Sequence, residues 1–244
     1  MRALSAAELL DFWEHGFAQT PAERALTLLK AACPEVSADS IARLTVGERD
    51  LRLLALREST FGSQLLCIAT CTSCGEQLEL SFTASELFAQ EETELAGSFS
   101  LPVDEYEVTF RLPNSLDLVA LSRFGDVVAG RKLLLERCIS RVERRAEVVA
   151  ITELPPFVLE AVVGRMGELD KSGDVQLSLN CPQCSQVSQP IFDIESFFWR
   201  EISAWANRIL REVHALATAY GWRESDILGM TAWRRQVYLN LIGA

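Results

Sequence analysis

The sequence predicts an α+β protein, mostly α-helical, with a small antiparallel β region built around two C-x-x-C turns. Three observations carry this prediction. Apolar residues recur at helical spacing through residues 1–62 and again from 194 to the end. The period changes to two beside each cysteine pair, and the two pairs sit in matching contexts. A length of 244 residues allows one large domain or two small ones. A composition of 49% hydrophobic and 23% charged residues excludes a mostly disordered chain.

Residues 1–62 read as an N-terminal helical region. Thr20-Pro21-Ala22-Glu23 is a capping box with proline at the first helical position, where its missing N–H costs nothing. The helix it opens, Pro21–Cys33, places Ala25, Leu28, Leu29 and Ala32 on one face and stops before Pro34. Thr45-Val46-Gly47-Glu48 opens a second, with Leu51, Leu54 and Ala55 inward and Glu48, Arg49 and Arg52 outward. Phe61-Gly62 closes it. Residues 63–112 form the first cysteine turn and an acidic β region, with strands Leu65–Ala69 and Gln77–Phe82 and a hairpin within 98–112. Residues 113–172 read as a helical insertion: helices run from Asn114 to about Ser140 with breaks near Gly125 and Gly130. The stretch Arg141–Thr152 is charged and ambiguous, and Leu154-Pro155-Pro156 starts a helix ending near Asp170. Residues 173–193 supply a strand, Val175–Leu179, and the second cysteine turn. Residues 194–244 hold a long helix and a terminal helix, Ala232–Leu241, capped by Thr231. In the long helix Trp199, Ile202, Ala206, Ile209, Val213, Leu216 and Tyr220 are spaced alternately by three and four, a heptad seam that serves core packing or a docked partner.

Charge and cysteine use narrow the function. The chain has 23 Lys+Arg against 34 Asp+Glu, a net −11, and no basic face of the kind a nucleic-acid binder shows. Nine acids against Arg111 alone put −8 of this in residues 71–112, which is a solvated face or a surface for a basic partner. No apolar run reaches the length of a membrane span, and the first residues lack a signal-peptide core, so the expectation is a cytoplasmic protein without a membrane partner. Seven cysteines fit reduced thiols or metal ligands better than a disulfide set.

Cys71-Thr72-Ser73-Cys74-Gly75 and Cys181-Pro182-Gln183-Cys184-Ser185 carry the most chemistry. A C-x-x-C turn points both sulfurs inward and leaves backbone N–H groups for the thiolates; two such turns make the four-sulfur tetrahedron that Zn²⁺ accepts. Counted from the first cysteine of each pair, aromatics fall at equal offsets: Phe82 with Phe192, and Phe88 with Phe198. The pattern is that of two knuckles of one zinc ribbon, binding one structural Zn²⁺ per chain through Cys71, Cys74, Cys181 and Cys184, with 106 residues inserted between them. A redox dithiol is the weaker reading, because thioredoxin-type C-x-x-C turns open a helix and these lead into strands. Cys33, Cys67 and Cys138 lie on apolar faces as buried thiols. Two histidines, His15 and His214, are too few for a multi-histidine site, and no phosphate-binding glycine loop or nucleophile elbow is present. Glu168, Asp170 and Asp226 read as ordinary helix ends. The expectation is a non-enzymatic protein with no small-molecule substrate.

Two terminal blocks carry a resemblance. The first holds Trp13-Glu14-x-Gly16, Pro21-x-x-Arg24-Ala25-Leu26, Val46-Gly47-x-Arg49-Asp50 and Leu56-Arg57-Glu58-x-x-Phe61-Gly62. The second holds Phe192-Asp193-Ile194, Trp199, Glu201-Ile202-x-x-Trp205-Ala206, Glu212-Val213-His214, Tyr220-Gly221-Trp222, Asp226-Ile227-Leu228 and Trp233-Arg234-Arg235-Gln236-x-Tyr238-Leu239. Together they resemble the T4-type baseplate hub assembly chaperone family of contractile-tailed phages and phage-tail-like contractile injection systems. The resemblance implies a non-enzymatic assembly factor whose partners are baseplate hub or spike proteins. A permanent baseplate subunit is the alternative, and a zinc-ribbon nucleic-acid module a more distant one that the acidic flank disfavours. Chemistry alone nominates Trp222, Trp233, Arg234, Arg235 and Tyr238 as partner-binding, since aromatic and arginine side chains anchor interfaces.

Overall fold

Four helices open on reciprocal capping boxes, Ser5 with Glu8, Thr20 with Glu23, Thr45 with Glu48 and Asn114 with Asp117, in which each side chain satisfies the other residue's backbone N–H. The computed structural model describes residues 1–87, 97–122 and 125–243. In chain order the elements are α1 (Ala6–Gly16), α2 (Pro21–Ala32), α3 (Ala38–Ala42), α4 (Val46–Phe61), β1 (Gln64–Thr70), β2 (Gln77–Thr83), α5 (Ala84–Leu87), β3 (Phe99–Val103), β4 (Tyr106–Phe110), α6 (Ser115–Leu121), α7 (Val127–Cys138), β5 (Ile139–Arg144), β6 (Glu147–Val148), α8 (Pro156–Leu169), β7 (Leu179–Asn180), β8 (Val187–Ser188), α9 (Ile194–Tyr220), α10 (Glu224–Leu228) and α11 (Ala232–Ile242). The fold is mostly helical with small antiparallel sheets. Among the described residues these are β1-β2, β3-β4-β5-β6 and β7-β8.

The first half of α9 threads the N-terminal helices. Ile194, Phe197, Phe198 and Ile202 share a core with Leu9, Phe12, Leu28, Leu29, Leu53 and Leu56. Further along, Ala206 and Ile209 bury against Leu10, and Val213 and Leu216 bury against Ile227 and Leu239. The heptad seam is therefore core packing along α9, and only its ends, Trp199 and Tyr220, are incompletely buried. Gly221, at φ 69°, ends the helix in the left-handed conformation that glycine adopts without steric cost.

Residues 97–173 build a second core, in which Val108, Phe110, Ile139 and Val142 of the four-stranded sheet pack on Leu135 of α7 and on Val158, Val162 and Met166 of α8. The insertion expected to be helical thus also supplies strands, and the ambiguous stretch 141–152 falls in β5 and β6. Its turn, Arg145-Ala146, takes positive φ at both residues without a glycine, so the usual hairpin signal is missing. No break occurs at Gly130, which lies inside α7. The strand expected at Val175–Leu179 shrinks to Leu179–Asn180, with Gln176 bridged singly to Ile191. Phe88 and the acids Glu91, Glu92 and Glu94 lie outside the described residues.

Buried polar groups join these parts. Arg57, 3% exposed, donates Nε and Nη2 to Glu201 of α9 at 2.7 and 2.6 Å and Nη1 to the Gly62 carbonyl at 2.6 Å. Arg49, expected to face solvent, is buried beside Asp50 at 2.7 Å and Glu195 at 3.8 Å. Asp170, at the end of α8, accepts a bond from the Gly47 N–H at the start of α4, 3.0 Å away. That contact ties the insertion to the helical body through a helix N-terminus, where a carboxylate is favoured. A Cβ at residue 47 would lie 1.9 Å from Asp170 Oδ1, so glycine is required there.

Candidate metal centre

The two cysteine turns are built alike. In the first, the Cys71 N–H donates to the Glu76 carbonyl at 2.8 Å and the Gly75 N–H to the Cys71 carbonyl at 3.0 Å. In the second, Cys181 donates to Gln186 at 2.9 Å and Ser185 to Cys181 at 2.8 Å. Gly75 and Ser185 occupy the same place, both left-handed, with φ of 76° and 56°. The first cysteine of each pair is buried and the second exposed. Beneath them Leu78 and Leu179 form a small apolar floor with Ala69, Leu80 and Leu177. Phe82 and Phe192, matched by offset in the sequence, meet edge to face at 5.5 Å.

The turns face each other. Cys71 Sγ lies 3.7 Å from Cys184 Sγ and Cys74 Sγ 3.6 Å from Cys181 Sγ, with all four sulfurs within 4.8 Å of one another. A metal–sulfur bond of about 2.3 Å implies a tetrahedral edge of about 3.8 Å, so the four sulfurs fit one ion. As thiols and thiolates alone they compete for protons. Backbone N–H groups of Cys74 and Ser73 bring the Cys71 thiol down to about 6. Cys74 receives help from the Glu76 N–H but is pushed up to about 12 by desolvation and the neighbouring sulfurs. A cation at the centre resolves that repulsion by stabilising all four thiolates at once. The structure thus brings together the four cysteines nominated as ligands, in a site that can hold a metal ion.

The remaining thiols differ. Cys33 and Cys138 are buried and Cys67 is half-buried. Burial pushes Cys138 up to about 11 and raises Cys67. All three pack against apolar neighbours.

The nominated partner-binding block divides. Trp222 stacks on Tyr220 at 4.5 Å and meets Tyr238 edge-on at 4.8 Å, while Arg234 lies over the Tyr238 ring at 5.8 Å. Trp233 and Arg234 are exposed. Arg235, by contrast, is 6% exposed, with Nε 3.1 Å from Glu212 and Nη1 2.7 Å from the Met230 carbonyl, so it holds α11 to α9. Sequence reasoning missed Val237 and Leu241, which share the outer face of α11 with Trp233; their i, i+4, i+8 spacing was the available signal.

Fold and site together define a helical protein clasped by a four-cysteine ribbon capable of holding a metal. The family model described as T4 bacteriophage base plate protein matches residues 17–199, and the chain belongs to that family. No curated protein and no solved structure matches it. No helix among the described residues is long and apolar enough to cross a membrane.

Proposed function

We propose that this protein is a non-enzymatic, zinc-containing assembly factor for the hub or spike of a T4-type phage baseplate or related contractile injection system, acting in the cytoplasm of the producing bacterium. The observation that carries the reading is the set of four cysteine sulfurs within 4.8 Å of one another in a member of a baseplate family. Four thiolates suit Zn²⁺ and leave no coordination position for water or substrate, which makes the ion a staple of the fold. Supporting a binding role, the four sulfurs are spent on structure, and the other cysteines are buried or half-buried in packing.

Native mass spectrometry of the full chain, purified gently from its producing cell, tests this. One zinc per chain and a co-purified hub or spike protein are the expected results. Cys74→Ser loses the zinc and unfolds cooperatively at lower temperature; full zinc and an unchanged melting temperature in that variant refute the site. Stoichiometric presence in purified particles overturns the assembly-factor reading and makes the chain a permanent subunit.

A further inference from the structure

Helix α11 is apolar on two opposite faces. Its inner face buries Leu239 with Val213, Leu216 and Ile227 and carries the Arg235–Glu212 pair. At 100° per residue, Trp233, Val237 and Leu241 fall together on the opposite side, centred about 170° from the inner face. They are 78%, 38% and 71% exposed. A surface helix of a globular protein normally buries one apolar stripe and presents polar residues outward, so a second stripe marks a surface that something covers.

We propose that the outer face of α11 docks an acidic amphipathic helix of another baseplate protein. That the partner belongs to the baseplate rests on the function proposed above; the rest stands on the surface itself. A ridge at i, i+4 and i+8 interdigitates with the side chains of a second helix. The charge selects an acidic one. Arg235 is spent on Glu212 at the inner face, but Arg234 sits exposed in the first turn of α11, which carries no acid of its own, adding to the positive end of the helix dipole. Residues 202–244 hold five arginines against three acids in a chain of net charge −11, so this end departs in sign from the rest. A second copy of the chain fits poorly. Two copies of α11 offer each other no opposite charge.

The test places the photo-crosslinker p-benzoylphenylalanine at Val237 of the full chain, produced in its own cell while baseplates assemble, and sequences the crosslinked peptide. The expected product joins Val237's position to an acidic helical segment of a baseplate protein. Trp233→Ser with Leu241→Ser lowers the yield about tenfold or more, as loss of an aromatic anchor does, with an unchanged melting temperature. Arg234→Glu lowers it similarly. A crosslink to a second copy, to a segment without acids, or to nothing overturns the assignment, as does a yield that ignores both variants. A crosslink to a non-acidic segment of a hub protein defeats this inference alone. An acidic helix in a protein outside the baseplate retains the docking surface and defeats the baseplate reading.

Discussion

Glu201→Ala removes the carboxylate that neutralises Arg57, and the structure sets the size of the effect. The guanidinium is 3% exposed and loses two of its three bonds, those of 2.7 and 2.6 Å, keeping only the Gly62 carbonyl. Breaking a buried pair by deleting one partner costs about 3–5 kcal/mol, because the remaining charge stays desolvated. Glu201 is itself 26% exposed, so water can reach the vacated side and the lower end, about 3 kcal/mol, applies. At roughly 2–4 °C per kcal/mol for a chain of this size, the melting temperature falls by about 10 °C. Urea unfolding at a fixed metal concentration measures the free energy directly, since a ligand that binds only the folded state would add to its stability. Arg57→Met combined with Glu201→Ala should recover part of the loss, because no uncompensated charge is then buried. A loss below about 1 kcal/mol for Glu201→Ala, or a double variant less stable than the single, refutes the reasoning.

Two further outcomes follow from buried carboxylates. Gly47→Ala forces a Cβ into the position of Asp170 Oδ1 and breaks the bond joining α8 to α4; overpacking and a lost charged hydrogen bond give about 2–4 kcal/mol of destabilisation, and unchanged urea stability refutes it. Desolvation raises Glu195 to about 7 and Asp50 to about 6, Arg49 offsetting part of each. A folded-state value above the ordinary one means that stability is fully present below pH 4.5 and is lost as pH rises through 7. Glu195→Gln should therefore change little at pH 5 and stabilise by up to about 3 kcal/mol at pH 8, with Asp50 still pairing Arg49; equal effects at both values in urea unfolding contradict this.

Local signals were the legible part of the fold. The boxes at Thr20 and Thr45, the α9 seam and the Gly221 stop all act within a few residues, and each is present as read. The site was legible for a different reason: matching C-x-x-C turns bear one chemistry wherever the chain brings them together. The missed features are those decided by tertiary partners. Arg49 and Arg235 look like solvated helix charges until Asp50, Glu195 and Glu212 are placed beside them. β5 shows no clean alternation because its pairing with β4 shifts register between Thr109 and Phe110. The quoted terminal motifs prove largely architectural: a Cβ on Gly16 would lie 2.5 Å from the Trp199 ring, Gly47 admits Asp170, and Arg57 seals α4 to α9.

The separation of the cysteine turns along the chain imposes an order on synthesis. Cys74 leaves the ribosome 110 residues before Cys184, an interval of roughly 5–20 s at 5–20 residues per second. Throughout it the first turn offers only two sulfurs, while the insertion, whose core draws on residues 97–173 alone, has all it needs to fold. The four-sulfur set is therefore completed only after every residue of that core has been synthesised. α9, whose first half completes the N-terminal core, emerges just behind Cys184, so completion of the four-sulfur set and completion of the helical body fall at the same moment in the life of the nascent chain.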